Sequence, residues 1–296
     1  MPFGLKTAGN TFQRVADSIL RTHSQYAGAY IDDVAVGSST WSDHLVHLNR
    51  VLLAFSEAGM TLKLAKCKFA HSKVKLVGHE VGSGMRSVIQ GKVEAIQAIP
   101  EPSTKKLLRS FLGMCGFYRG YIPGFSGIAL PLTELTKSRQ SHHMKFNEEQ
   151  RAAFLSLKDK LCKSTTLYSP RWNEIFIIRT DASDYAVGAS LSQTDDTGID
   201  RPIAFASTKL SDVQTRWSTI EKEAFAVIYA LRKFDVIVYG RRIVLYSDHN
   251  PLQYLVSCTP KSAKLTRWAL SLSRYDITVK HIAGKNNAVA DCLSRC

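Results

Sequence analysis

Four acidic side chains in the last third of the chain stand where carboxylates are costly to place. Asp181 follows the apolar run Ile175-Phe176-Ile177-Ile178, and Asp248 follows Ile243-Val244-Leu245-Tyr246. Both runs read as strands, and strand ends of an α/β sheet are where ligands and chemistry are usually placed. Glu223 lies at the margin of a helical apolar face marked by Ile220, Ala224, Val227, Ile228 and Leu231, and Asp291 stands between Ala290 and Leu293 in a terminal helical stretch. A carboxylate in such company needs a partner. Converging carboxylates hold hard Mg²⁺, with phosphate oxygens completing its shell. The chemistry that follows is metal-assisted phosphodiester hydrolysis with two ions, Mn²⁺ being an acceptable substitute. Taken singly, each acid reads first as a helix cap or a salt-bridged surface residue; spacing does not show that the four meet. Glu221 lies at the opposite margin of the same face, so helical geometry alone leaves both glutamates as candidates. His281 follows a strand predicted over 277–280 and is placed to assist proton transfer or product release.

A second acidic pair, Asp32 and Asp33, is flanked by Ala29 and Ile31 on one side and Val34 and Val36 on the other. Apolar residues on both sides of an acidic pair predict a hairpin with the carboxylates at its tip. The elements around it follow from spacing. Phe12, Val15, Ala16 and Ile19 predict a helix over 11–20, and Leu45, Leu48, Val51, Leu52 and Phe55 a second one that stops at Gly59. Residues 66–88 alternate apolar and polar with Gly78, Gly82 and Gly84 as punctuation, which predicts short antiparallel strands. Small helices follow from residue 91, one capped at Ser103/Thr104. Residues 136–147 read as a polar linker and 148–162 as another helix. After Pro170 the pattern becomes three strands, a long helix, a strand, two helices, a strand and a helix, a mixed sheet carrying helices. On the long helix, Lys222 and Lys233 are expected to point away from the apolar face.

The 296 residues carry 39 basic and 25 acidic side chains, a net charge of +14, and 45% hydrophobic residues. That is a globular composition with material for two domains, and it excludes global disorder. Residues 1–170 hold 22 basic against 12 acidic residues, +10, and the remainder 17 against 13, +4. A basic surplus favours a polyanionic partner. No apolar run reaches bilayer-spanning length, and the first residues lack the features of a secretory signal. The six cysteines show no zinc spacing. Together these predict an intracellular protein, cytoplasmic or nuclear and not secreted, with reduced thiols and no membrane partner.

Several motifs carry a family likeness. Thr180-Asp181-Ala182-Ser183, Glu223-Ala224-Phe225-Ala226, Ser247-Asp248-His249-Asn250-Pro251-Leu252, and His281-Ile282-Ala283-Gly284-Lys285-Asn286-Asn287 through Asp291 resemble the ribonuclease H domain of gypsy-type LTR retrotransposon and retroviral Pol proteins. The resemblance implies an RNase H fold with Asp181, Glu223, Asp248 and Asp291 as Mg²⁺ ligands, and its motif aligns with Glu223 rather than Glu221. His281 falls where related retroviral domains place a mobile histidine. Earlier, Met1-Pro2-Phe3-Gly4-Leu5-Lys6 with Thr11-Phe12-Gln13, Tyr30-Ile31-Asp32-Asp33, Leu76-Val77-Gly78-His79, Leu108-Arg109-Ser110-Phe111-Leu112-Gly113, Tyr118-Arg119 and Tyr121-Ile122-Pro123 resemble the back half of a reverse transcriptase. That likeness implies polymerase metal binding by Asp32 and Asp33, and nucleic-acid contacts by Phe3, Gly4, Gln13, Tyr30, Gly78 and His79.

The expected fold is therefore α+β / α/β: a partial reverse-transcriptase palm over 1–90, thumb/connection helices and linker over 91–169, and an RNase H-like mixed five-stranded sheet with helices over 170–296. The expected function is Mg-dependent endonucleolytic cleavage of the RNA strand of RNA:DNA hybrids, with the rest of the Pol polyprotein as a partner. Two departures from the family pattern bear on polymerisation. Thr7-Ala8-Gly9-Asn10 replaces the usual Asn-Ala-Pro-Ala, and the only acid before Asp32 is Asp17, on an amphipathic helix outside any matching motif. The polymerase part is accordingly expected not to synthesise DNA alone. The rival reading is a non-catalytic nucleic-acid-binding relic or domesticated copy of the element.

Overall fold

The computed structural model describes residues 4–137, 144–163, 166–247 and 263–281. The chain divides into two units, Met1–Ser83 and Gly84–Cys296.

In the first unit, helix α1 (Ala8–Leu20) starts three residues before the predicted helix. Its buried stripe is Ala16 and Leu20, with Ile19 partly covered; Val15 is exposed, correcting its expected place on the apolar face. Strands β1 (Ala27–Tyr30) and β2 (Asp33–Val36) form the predicted antiparallel hairpin, with Tyr30 opposite Asp33. Helix α2 (Trp41–Glu57) is capped at Thr40, whose hydroxyl oxygen accepts from the Asp43 N–H at 3.1 Å. It ends as the sequence predicts: Gly59 at φ +69 turns the chain, and the Met60 N–H reaches back to the Phe55 carbonyl at 2.9 Å, a motif that glycine permits at little steric cost. Val51 and Phe55 pack on Leu20 and Ala27. Strands β3 (Val74–Leu76) and β4 (His79–Gly82) pair antiparallel across Val77 and Gly78, both at positive φ, as a twist-matched two-residue turn demands.

Among the described residues of the second unit, two large apolar cores stand out, with a small third cluster at Val187, Leu210 and Ala226. Strand β5 (Met85–Val88) pairs with β6 (Leu167–Tyr168). Between them lie α3 (Gln90–Gln97), α4 (Lys105–Phe117), α5 (Phe125–Ile128), α6 (Leu130–Leu135) and α7 (Glu148–Cys162). Leu108, Phe111, Leu132, Phe154, Leu157 and Leu161 fill their common centre. The expected linker is corrected at its end: Phe146 is buried in this core, the Met144 N–H bonds to the Ser103 carbonyl, and Asn147 closes a capping box on α7. A polar composition had concealed an aromatic anchor.

The other core lies beneath a five-stranded sheet of β7 (Phe176–Ala182), β8 (Ala186–Thr194), β9 (Asp200–Lys209), β10 (Arg242–Ser247) and β11 (Asp276–His281), in the order β11-β10-β7-β8-β9. β7, β8 and β9 form an antiparallel meander, while β7, β10 and β11 run parallel. Helix α8 (Thr219–Val238) lays Ala224, Val227, Ile228 and Leu231 on the sheet, and Trp268 of α9 (Ala263–Leu272) joins the same core. This is the mixed five-stranded sheet with helices that the sequence predicts. Among the described residues, no helix is long and apolar enough to cross a membrane.

Candidate active site

Asp181 is the penultimate residue of β7, whose strand extends past the predicted apolar run to Ala182. It is 4% exposed. The chain then turns sharply: the Ser183 hydroxyl oxygen accepts the Ala186 N–H at 3.0 Å, and the Ser183 N–H bonds to the Ala186 carbonyl. Against this turn stands the second turn of α8. Glu223, 1% exposed, directs its Oε1 at the backbone N–H of Ala182, 3.1 Å away. One hydrogen bond thus sets a buried carboxylate beside the residue that follows Asp181.

Glu221 has a different task. Its Oε2 accepts the Ser218 N–H at 3.2 Å while the Ser218 hydroxyl receives the Glu221 N–H, a capping box at the start of α8. Its Oε1 is 2.7 Å from Lys264 Nζ. The Lys264 hydrogen bond, ahead of the capping contacts, holds the Glu221 carboxyl below the ordinary glutamate range. The fold therefore brings Glu223, not Glu221, to the strand of Asp181.

Lys222 corrects an expectation. It does not point out to solvent: it is 6% exposed, and its ammonium lies 2.8 Å from Asp184 Oδ1. Lys222 pins the turn after Asp181 to α8, and its hydrogen bond lowers the Asp184 pKa. Helical periodicity gave no hint of this clamp, because Lys222 gains burial from a turn contributed by another element.

His281 ends β11, exposed, in register with Ser247 at the end of β10; Tyr246 in turn is opposite Arg179, two residues before Asp181. His281 and Asp181 therefore share one edge of the sheet. Asp248, Asp291 and Phe3 lie outside the described residues. Among those described, no group of three or more His, Cys, Asp or Glu side chains is placed to hold a metal ion.

At the other acidic pair, Asp32 and Asp33 are exposed at the hairpin tip. Ile31 has φ +53, a conformation that β-branched residues avoid at a cost of about 1–2 kcal/mol. Gln13 supports it: its Oε1 accepts the Ile31 N–H at 2.6 Å, and its Nε2 donates to the Ala29 carbonyl at 2.9 Å and to Asp17 Oδ1 at 2.8 Å. The Gln13 amide, expected to meet nucleic acid, makes these hydrogen bonds to the hairpin and to Asp17. Tyr30 is 56% exposed beside it. Gly4 adopts φ +90, Gly78 forms the β3–β4 turn, and His79 pairs with Leu76 in that hairpin.

Comparison with known proteins places this geometry. Residues 1–81 match the reverse transcriptase (RNA-dependent DNA polymerase) family, and residues 171–275 match the RNase H-like domain found in reverse transcriptase. The class of the protein is thus a reverse transcriptase segment joined to an RNase H-like domain. More narrowly, the chain belongs with the retrovirus-related Pol polyproteins of gypsy-type transposons. Over its whole length it is 39% identical to the Pol polyprotein from transposon opus and 36% to that from transposon gypsy, both of Drosophila melanogaster, and 30% to the Tf2-3 polyprotein of Schizosaccharomyces pombe. It spans 30%, 29% and 22% of those three polyproteins. Its fold is that of a foamy viral protease-reverse transcriptase dRH in complex with double-stranded DNA (TM-score 0.83, 24% identity, 95% of this chain and 50% of that one). A foamy viral protease-reverse transcriptase in complex with RNA/DNA hybrid matches at TM-score 0.81, with 23% identity over 95% of this chain and 39% of that one.

Proposed function

We propose that the RNase H-like domain hydrolyses the RNA strand of RNA:DNA hybrids, using Asp181, Glu223, Asp248 and Asp291 to hold Mg²⁺. The observation that carries this reading is the burial of both Asp181 and Glu223, with the Glu223 carboxylate held by the N–H of Ala182, the residue after Asp181. Buried carboxylate oxygens are the hard donors that Mg²⁺ takes, so the residues present fit the ion. When bound, it supplies charge neutralisation and Lewis acidity for phosphodiester hydrolysis.

The protein's own part is positioning. The β7 strand fixes Asp181, the capping box and the Lys222–Asp184 clamp fix the first turns of α8, and the Ala182 N–H fixes the Glu223 carboxylate. Ligands aimed in advance need no reorganisation during reaction. His281, exposed at the same edge, assists proton transfer or product departure. Hybrid is chosen through the 2′-hydroxyl of one strand, with Tyr30, Gly78, His79 and the N-terminal residues Phe3 and Gly4 contacting nucleic acid elsewhere in the chain. We assign 1–90 to a palm, 91–169 to thumb and connection helices, and 170–296 to the nuclease. Asp32 and Asp33 are one side of a polymerase metal site, and the 296-residue polypeptide alone does not extend a primer.

The test is a labelled RNA:DNA hybrid incubated with the purified 296-residue protein and Mg²⁺, beside Asp248→Asn. Cleavage by the wild type that is lost in the variant is the expected result. Hybrid bound but cut by neither protein would overturn it in favour of a non-catalytic relic.

A further inference from the structure

Because β7, β10 and β11 run parallel, their first residues share one edge of the sheet, opposite the edge that carries Asp181 and His281. At about 3.3 Å per residue, the six residues of β10 put the two edges about 20 Å apart. At the starting edge Trp172, Glu174, Ile175, Gly240, Arg241 and Arg242 line a shallow cleft of about 290 Å³.

The side chains there are flat, cationic and accessible. Trp172 is 50% exposed. The Arg241 guanidinium lies 5.6 Å from its ring centroid and is held there by a 3.0 Å hydrogen bond to the Trp172 carbonyl. Tyr239, next to the cleft in sequence, is 58% exposed, and the Arg274 guanidinium stands 5.4 Å from its ring centroid and 5.8 Å from that of Tyr275. Arg242 is exposed beside them. Over 171–174, 239–242 and 274–276 there are four arginines against two carboxylates, and one of those, Glu174, is already paired with Arg171 at 3.0 Å.

Aromatic faces interleaved with arginines stack bases and neutralise phosphates together. A duplex hides its base faces within its own stack, so only an unpaired strand can present them to Trp172. We propose that this edge is a second nucleic-acid site, which stacks bases of a single strand on Trp172 and Tyr239 and holds its phosphates with Arg241, Arg242 and Arg274. It is separate from the hydrolytic edge and does not depend on cleavage.

The experiment measures binding of a fluorescent oligothymidylate, about 15 nucleotides long, to the 296-residue protein across a salt series, with photo-cross-linking of a 5-iodouracil version mapped by peptide mass spectrometry. Trp172→Ala is expected to weaken binding about tenfold, since it removes one base–aromatic stack, and Trp172→Phe to stay within about threefold. Arg242→Ala, which removes an exposed side chain, should lower the slope of log K against log salt by about 0.7. Cross-links should fall within 171–175, 239–242 or 274–275. If they fall elsewhere, or if folded Trp172→Ala binds as the wild type does, the proposal is overturned. Should Trp172→Ala not fold, an unchanged slope in Arg242→Ala together with cross-links elsewhere overturns it equally.

Discussion

Glu221 and Glu223 are two residues apart on one helix, and the structure predicts opposite consequences for the same substitution. Glu223→Gln keeps the shape and the oxygen that accepts the Ala182 N–H at 3.1 Å, and removes a charge from a side chain that is 1% exposed. With no divalent ion present, stability should stay level or rise, because a buried negative charge has gone. Hybrid cleavage should fall at least about 100-fold, about 2.7 kcal/mol in barrier. Glu221→Gln retains an oxygen for the Ser218 N–H but loses the ion pair with Lys264, whose side chain is 29% exposed against 27% for Glu221. A partly exposed pair plus a first-turn negative charge is worth about 1 kcal/mol. For a unit of this size that is a fall of about 2–4 °C in Tm, with cleavage preserved.

The pH dependence follows from the sign of the shift. The folded-state pKa of Glu221 is lowered from 4.5, chiefly by the Lys264 hydrogen bond, so its contribution is full above 4.5 and disappears as pH falls through the folded value. The Glu221→Gln penalty should therefore be present at pH 7 and vanish in acid. Thermal melts with and without Mg²⁺, run beside hybrid cleavage, decide the matter: added Mg²⁺ should raise the Tm of the wild type and of Glu221→Gln, but not of Glu223→Gln. Cleavage by Glu223→Gln within about threefold of the wild type, or abolished cleavage in Glu221→Gln at unchanged Tm, would refute the assignment.

Three further predictions rest on other parts of the second unit. Arg86 joins β5 to β9 through a 2.9 Å hydrogen bond to the Ile203 carbonyl and lies 5.9 Å from the Tyr121 ring centroid; Arg86→Ala should cost about 1–2 kcal/mol in urea unfolding, and an unchanged midpoint would show the joint to be idle. Asp195 is held well below the usual carboxylate range, first by the Thr197 hydroxyl and then by the Ile199 N–H. Its stabilising contribution is present above pH 3.8 and lost as pH falls further, so Asp195→Asn should flatten the acid limb of a stability–pH curve. Burial pushes the Cys115 thiol up to about 12, leaving about one thiolate in 10⁴ at pH 8. Peptide mapping after iodoacetamide treatment should find Cys115 labelled well behind the less buried Cys67 and Cys162.

Much of this molecule is written locally. The stop at Gly59, the cap at Thr104, the helix over 148–162, the acidic hairpin and the succession of three strands, long helix and strand along the chain after Pro170 all depend on neighbours a few residues away, and the chain builds them where spacing predicts. Asp181 could be picked out because a carboxylate at the end of an apolar strand is conspicuous in one dimension. Local pattern could not choose between Glu221 and Glu223, since both border one helical face. The choice depends on what stands opposite, Lys264 for one and the Ala182 N–H for the other, 43 and 41 residues away in sequence. The burial of Lys222, and of Phe146 within a polar stretch, is invisible to local pattern for the same reason. Burial of a single side chain is decided by the element that folds over it, and periodicity records only the element to which it belongs.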